Sequence, residues 1–311
     1  MSFIGGSRVL VTGCAGFIGK HLTTRLRELG ASVTGIDERP VSQDGLAASF
    51  VADITAPLEN LDCPQIDIAV HLAAITGVER ASRDPLKTFS VNLLGTMNVL
   101  RLARRLGARQ FCLLSSSEVY GEAREQPVAE TARLQPRSAY GLSKQAAEAA
   151  LALTAGEEFH GIVIRPFNVY GPGQREDFVV SRFFKDSFTG VPHAIVGDGK
   201  QRRTFTYVDD LVTGVVLSLE RSRNTFNVFN IAGECPTSVE SLAEEIDAIA
   251  GHRVPRVFRA PPHLGRPLAA EIHTRVPSIA KARSELGYEP RFSLKEGLQL
   301  TFEHLASAVS F

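Results

Sequence analysis

Ser7-Arg-Val-Leu-Val-Thr-Gly-Cys-Ala-Gly-Phe-Ile-Gly19 is the stretch on which the fold turns. Arg8 to Thr12 is a β-branched and aliphatic run, the composition of a strand buried on both faces of a parallel sheet. Gly13, Gly16 and Gly19 follow at a spacing of three. Phe17, Ile18, His21, Leu22, Leu26 and Leu29 then recur every three to four residues until Gly30, which predicts a helix. A strand, a glycine turn and a helix aim unpaired backbone N–H groups and the positive end of a helix dipole at a pyrophosphate. Gly13 suits the tight turn, Gly16 the close approach of phosphate, and Gly19 the packing of helix on strand. An ordinary strand-to-helix turn also uses glycine, so the triplet needs support from the next unit.

That support comes from Ala31 to Ile36, a second strand ending at Asp37, 18 residues after Gly19. A carboxylate there accepts from both hydroxyls of an adenosine ribose and repels a 2′-phosphate, which favours NAD over NADP. Arg39 is a cation able to host a phosphate, so this is a preference and not an exclusion.

The 311 residues are enough for one large domain or two closely joined ones. Thirty-four Lys plus Arg balance 34 Asp plus Glu, which argues against a general polyanion binder such as a nucleic-acid protein. The four cysteines have no paired spacing and the eight histidines form no ligand motif, so neither a disulfide framework nor a metal site is expected. A reducing, cytoplasmic setting fits. The first strand starts too early for a signal peptide, and no apolar run approaches the ~20 residues that span a bilayer, so no membrane association is expected.

Further strands are read at Ser49–Val51, Ile66–Ala74, Gln110–Ser115 and Gly161–Pro166, with helices at Pro85–Leu106 and from Tyr140 to about Ala155. Their alternation predicts an α/β fold, a Rossmann-type doubly wound parallel sheet. From Asn168 the pattern loosens into a smaller, irregular C-terminal domain. The division predicted is a dinucleotide-binding domain at 1–167, with a returning segment near 203–232, and a substrate domain at 168–202 and 233–311. Asp53, after the third strand, could bond an adenine amino group with Ile54 packed on the ring; equally it could cap a local turn.

Tyr140 and Lys144 stand at i and i+4, so they share one face of a helix. An ammonium one turn away stabilises a phenolate, which is how a phenol becomes a base near neutrality. Ser115-Ser-Ser-Glu118 ends the fifth strand at the carboxyl edge of the sheet, where a hydroxyl could hold the same substrate oxygen. A surface cation beside a packed aromatic is the bland alternative for the Tyr/Lys pair.

With these pieces in place the chain resembles a known family. Thr12-Gly-Cys-Ala-Gly-Phe-Ile-Gly19, His71-Leu-Ala-Ala74, Ser115-Ser-Ser-Glu-Val-Tyr-Gly121, Tyr140-Gly-Leu-Ser-Lys144, Arg165-Pro-Phe-Asn-Val-Tyr-Gly-Pro172 and Gly197-Asp-Gly-Lys-Gln-Arg-Arg-Thr-Phe-Thr-Tyr-Val-Asp-Asp210 are similar to motifs of the extended short-chain dehydrogenase/reductases. More narrowly, they resemble the NAD-dependent nucleotide-sugar epimerase/dehydratase family. The resemblance implies Tyr140 as catalytic base, Lys144 as its activator and ribose ligand, and Ser116 as hydroxyl partner, with Glu118 beside them. The implied NAD site is Gly13, Gly16, Phe17, Ile18, Gly19, Asp37, Asp53, Ile54, Leu72, Ala73, Ala74, Asn92 and Pro166, together with Tyr140 and Lys144. Asn168, Arg203 and Arg266 are the implied ligands of a nucleotide-diphosphate sugar. Two departures weaken the C-terminal match: Leu268-Ala269 replaces the family's Gly-Asp, and Ser278 replaces an Asp. A homodimer is also implied, built on the helices at 86–106 and 140–155.

In the implied mechanism Tyr140 takes the C4 hydroxyl proton while hydride passes to NAD, giving a 4-keto sugar. A 4-epimerase, the reading favoured by a small margin, turns that sugar over and returns the hydride. A 4,6- or 5,6-dehydratase loses water from it, and a UDP-glucuronate decarboxylase loses carbon dioxide. Glu118 resembles the Glu of the latter two classes, although 4,6-dehydratases pair it with an Asp where Ser117 stands here. The presence of Tyr140 and Lys144 argues against a non-enzymatic NAD sensor, and Asp37 against an NADP-dependent carbonyl reductase.

Overall fold

The structure, a computed structural model, describes residues 4–41, 44–123, 125–222, 224–260 and 274–308. Strands β1 (Arg8–Thr12), β2 (Ser32–Asp37), β3 (Ala48–Val51), β4 (Ile68–His71), β5 (Gln110–Leu114) and β6 (His160–Pro166) lie in one sheet with a late strand, β11 (Phe226–Ile231). Their order is β11-β6-β5-β4-β1-β2-β3, and every neighbouring pair is parallel. The chain reverses its direction of winding between β1 and β4, which opens a crevice at the carboxyl ends of those strands.

The two faces of the sheet follow the strand period of two. Val9, Val11, Ile68, Val70, Cys112, Leu114, Ile162 and Ile164 enter one core with Leu22 and Leu26 of α1 (Phe17–Glu28). The alternate residues Leu10, Ala69, Phe111, Leu113 and Val163 enter the other. There they meet Val99, Leu102, Ala147 and Leu151 from the helices between β4 and β6.

Those helices are α2 (Val78–Arg83), α3 (Pro85–Phe89), α4 (Gly95–Arg105) and α5 (Ala139–Thr154). The helix read at Pro85–Leu106 contains a π-helical turn at Ser90–Leu94, an extra residue inserted where Asn92 turns inward. Helix α5 starts where Ser138 accepts from the Gly141 N–H at 3.1 Å, a side-chain cap that fixes the entry to the turn bearing Tyr140.

The rest of the chain forms short pairs of strands and a third core. Strand β7 (Val169–Tyr170) precedes α6 (Val179–Thr189), β8 (His193–Val196), β9 (Arg202–Thr204) and β10 (Thr206–Tyr207). Helix α7 (Val208–Arg221) then returns the chain to the large sheet through β11. After it come β12 (Pro236–Ser238), α8 (Val239–Ala250), β13 (Arg256–Arg259), β14 (Thr274–Arg275), α9 (Ala280–Leu286) and α10 (Leu294–Ala308). Phe183 and Phe184 of α6, Leu242 and Ile246 of α8, Ile195 and Leu298 make the third core. Strand β9 lies between β12 and β14, and β8 pairs with β13. Ala282, Leu286 and Tyr288, late in the chain, pack into the first core beneath the large sheet. No helix among the described residues is long and apolar enough to cross a membrane.

Candidate active site

The glycine turn closes on its neighbours so tightly that side chains have no room. Gly13 has φ +73° and donates to the Ile36 carbonyl at 2.7 Å; a Cβ there would lie 2.7 Å from the Ala73 nitrogen. A Cβ on Gly19 would collide with the Gly13 carbonyl and with Cys14. Helix α1 begins at Phe17 with no acidic residue in its first turn and no side-chain cap, so its leading N–H groups are left to a ligand. Asp37 is buried at the end of β2, accepting from the Ala15 N–H and the Arg39 N–H at 3.0 Å each. Arg39 turns its guanidinium onto the Ala15 carbonyl at 3.1 Å. These features fit a dinucleotide: a bare helix N-terminus for the pyrophosphate and an acid on the next strand for a ribose.

Asp53 and Ile54 are differently engaged. One oxygen of Asp53 accepts from both the N–H and the hydroxyl of Thr55 at 2.8 Å, the turn cap that the sequence left open as an alternative. Ile54 is buried against Gly95 in the second core rather than standing free as a platform for a ring. Leu72, Ala73 and Ala74 are half-buried beyond β4, Phe17 and Ile18 are half-buried at the head of α1, and Pro166 is buried at the end of β6.

Asn92 ties the loop after β4 to helix α5. It accepts from the Ile75 N–H at 2.8 Å and donates to the Ile75 carbonyl at 3.0 Å and to Ser143 at 2.9 Å. A buried polar chain leads from it towards the glycine turn. The Thr96 hydroxyl donates to the Asn92 carbonyl at 2.6 Å, so it accepts from His71 Nε2 at 3.0 Å. His71 Nδ1 in turn accepts from Thr12 at 2.6 Å. Burial pushes the His71 imidazole down to about 3, so it stays neutral.

At the carboxyl end of β5, Ser116 lies beside the Tyr140 phenol and accepts from the Glu118 N–H at 3.2 Å. Burial pushes the Tyr140 phenol up to about 12; the Ser116 hydroxyl opposes that rise and the Glu118 charge adds to it. The protein alone therefore does not give the acidic phenol that the i, i+4 spacing suggests. Lys144 donates to the Leu114 carbonyl at 2.7 Å, and burial pulls it down to about 8 against the support of Glu148. Desolvation is the largest cause of the shift at both groups.

Glu148, one further turn along α5, is held by Arg165 through bonds of 3.1 and 2.6 Å and also accepts from Ser115. Arg165 donates on to the Tyr120 hydroxyl, which donates to Asn230. The strand end bearing Ser116 is thus braced from below by a buried, fully paired network.

One residue absent from the sequence reading stands beside this group. Arg275, on β14, donates to Glu118 at 2.8 Å and to Ser117 at 3.3 Å; it is buried, and its Nε has no partner among the described residues. Nothing local marks it, because its placement depends on β14 pairing with β9, about seventy positions earlier in the chain by the registered pairs. Glu118, expected beside the base, is placed there, though in an ion pair with this guanidinium.

Asn168 and Arg203 line one pocket between α6, β8 and β9. Asn168 has φ +37°, a left-handed backbone uncommon for a non-glycine residue, and donates to the Thr204 carbonyl at 2.8 Å. Arg266 lies outside the described residues.

A nucleotide-binding crevice with a tyrosine and lysine on one helix defines a class of dinucleotide-dependent enzymes, and comparison with known proteins narrows it. The profile of the NAD dependent epimerase/dehydratase family matches residues 9–232, and the chain belongs to that family. It is 34% identical to UDP-glucuronic acid decarboxylase 1 of Arabidopsis thaliana over 94% of this chain and 68% of that protein. It is 30% identical to the UDP-glucuronate 4-epimerase of Thermodesulfobacterium geofontis over 94% of both chains. Among solved structures, MoeE5 in complex with UDP-glucuronic acid and NAD superposes with a TM-score of 0.89 at 33% identity, over 97% of this chain and all of that one.

Proposed function

We propose that this chain is an NAD-dependent nucleotide-sugar 4-epimerase whose sugar is a hexuronate, acting through a 4-keto form. The observation that carries the reading is Tyr140 and Lys144, buried one turn apart on α5 at the end of β5 that bears Ser116. Gly13, Gly16, Gly19 and the first turn of α1 would hold the cofactor's pyrophosphate, Asp37 its adenosine ribose, and Lys144 its nicotinamide ribose. NAD, when bound, supplies the oxidant for C4 and a positive ring charge. Tyr140 takes the proton of the C4 hydroxyl, and Ser116 holds the same oxygen in line. Lys144, while protonated, favours the phenolate; its ammonium is kept from water by the α5–β5 packing. Asn168 and Arg203 hold the diphosphate, Asn168 through the strained turn that presents it.

Arg275 supports the choice of sugar. A buried guanidinium beside Ser117 and Glu118 suits a sugar carboxylate, and the relatives quoted above carry UDP-glucuronate in their names. The same pair favours a second reading, decarboxylation. There the C5–C6 bond of the 4-keto uronate breaks, its electron pair enters the C4 carbonyl as an enolate, and carbon dioxide leaves. The test is incubation with UDP-glucuronate and NAD followed by mass spectrometry and proton NMR. Unchanged mass with C4 inverted is the expected outcome; loss of carbon dioxide selects the second reading, and no conversion of UDP-glucuronate overturns both.

Two coarser expectations belong to the same proposal. A cytoplasmic location is supported by four unpaired cysteines, three of them buried. A homodimer is supported by Leu86, Leu94, Leu142 and Leu153, exposed on the helices at 86–106 and 140–155.

A further inference from the structure

Lys144 is a buried cation whose ammonium donates to the Leu114 carbonyl at 2.7 Å. A carbonyl carries no charge to balance an ammonium that has lost its water. The groups set around it come from several elements. Helix α5 itself places Tyr140 one turn before Lys144 and Glu148 one turn after. Strand β4 brings His71, which is neutral, and the end of β5 brings Leu114 and Ser115, which carry no charge. Strand β6 brings Arg165, a second buried cation. Glu118 stands by Tyr140 and is committed to Arg275. The charged side chains of α2, α3 and α4, which also pack on α5, are exposed. Glu148 is thus the anion that balances Lys144, and its charge opposes the effect of burial there.

The Glu148 carboxylate is fixed in place. One oxygen accepts from Ser115 and from Arg165 Nε at 3.1 Å, and the other accepts from Arg165 Nη2 at 2.6 Å. Arg165 is held in turn by the Tyr120 hydroxyl at 2.9 Å and the Glu130 carbonyl at 3.1 Å. Leu114 and Ser115 are consecutive, so one strand end holds both the ammonium and the carboxylate. A buried ion pair is not needed as a brace, since apolar side chains of like volume often replace such pairs at no loss of stability. What they cannot supply is a fixed negative charge.

We propose that Glu148, pinned by Arg165 and Ser115, is a positioning residue that acts through Lys144, keeping its ammonium charged so that Tyr140 can serve as the base. This rests on the catalytic reading above and extends the Tyr140–Lys144 pair to three residues at i, i+4 and i+8 on one face of α5. Even with Glu148 in place burial holds Lys144 at about 8, so without that charge the ammonium would be lost near neutrality.

The experiment is an NMR titration of the full chain carrying carbon-13 lysine, between about pH 6 and 10. There are seven lysines, and Lys144→Arg assigns the signal. Glu148→Gln is expected to lower the Lys144 midpoint by about one pH unit or more, a tenfold loss of proton affinity. Arg165→Met breaks the same ion pair from its other side but removes a cation, and is expected not to lower the midpoint. Circular dichroism establishes that each variant is folded. If Glu148→Gln does not fold, Glu148→Gln combined with Arg165→Met replaces the pair by neutral side chains, and the midpoint should still fall. An unchanged midpoint in Glu148→Gln, or an equal fall in both single variants, overturns the inference and leaves the pair a brace. A rise in Glu148→Gln overturns it too, because loosened packing that admits water moves a buried lysine upward. The titration needs neither NAD nor sugar, so the expected shift in a protein that converts no nucleotide sugar would contradict the catalytic reading and not the Glu148–Lys144 coupling.

Discussion

Tyr140 poses the sharpest chemical problem in this protein, because the same burial that shelters a base from water also raises the phenol to about 12. With Lys144 pulled down to about 8, the pair alone is a poor source of phenolate near neutrality. The positive ring of bound NAD would lower the phenol towards neutrality. Replacing Tyr140 with Phe removes the proton acceptor and keeps the ring. We expect turnover to fall by about 10²–10⁴-fold, with NAD affinity by fluorescence titration unchanged. Full activity in Tyr140→Phe would place the base elsewhere. At this scale the sequence was informative wherever a residue's role depends on near neighbours: Tyr140 and Lys144 share a helix, and Gly13 and Asp37 end adjoining strands. It was silent on Arg275, whose partners come from distant segments, and it left Asp53 open, because a local cap and an adenine contact look alike in sequence.

Helices α1 and α7, packed against each other, share a proton-dependent contact. His21 of α1 bonds Asp209 of α7 through Nδ1 at 3.1 Å and the Pro172 carbonyl through Nε2 at 3.0 Å. Both partners are acceptors, so both ring nitrogens donate only when the imidazole is protonated. Burial lowers this imidazole, but Asp209 and the Pro172 carbonyl outweigh it and hold the folded value above the ordinary 6.5. A group raised on folding gives its stability in full below the unfolded value and loses it as pH rises through the folded one. Thermal unfolding should therefore show a decline beginning near 6.5 that His21→Asn removes. Because Asp209 is half-exposed, the contribution is about 1 kcal/mol or less. An identical pH profile in both proteins would show that the contact is inert. Element existence was legible from periodicity, since Leu10 and Val11 alternate between two cores as a strand must. The π-turn within 85–106 was not, because one inserted residue leaves the apolar spacing of a helix almost unchanged.

For the whole molecule, parallel winding gathers the ends of β1, β2, β4, β5 and β6 at one edge, and the third core stands over them with its own pocket. After Asn168 the chain forms short pairs such as β9 with β14, which leave no local signature in sequence. The outer faces of α3 and α5 expose large apolar side chains: Leu86 is 82% exposed and Leu153 89%. Light scattering should give twice the chain mass, and Leu86→Asp with Leu142→Asp should halve it; a monomeric wild type would contradict the homodimer. In the proposed reaction C4 of the sugar is oxidised and reduced again without its hydrogen leaving the site. UDP-glucuronate carrying deuterium at C4, followed by NMR through complete turnover with NAD, tests this most directly. The product should keep the deuterium at C4; replacement of that deuterium by hydrogen from water would rule out hydride storage on the bound cofactor.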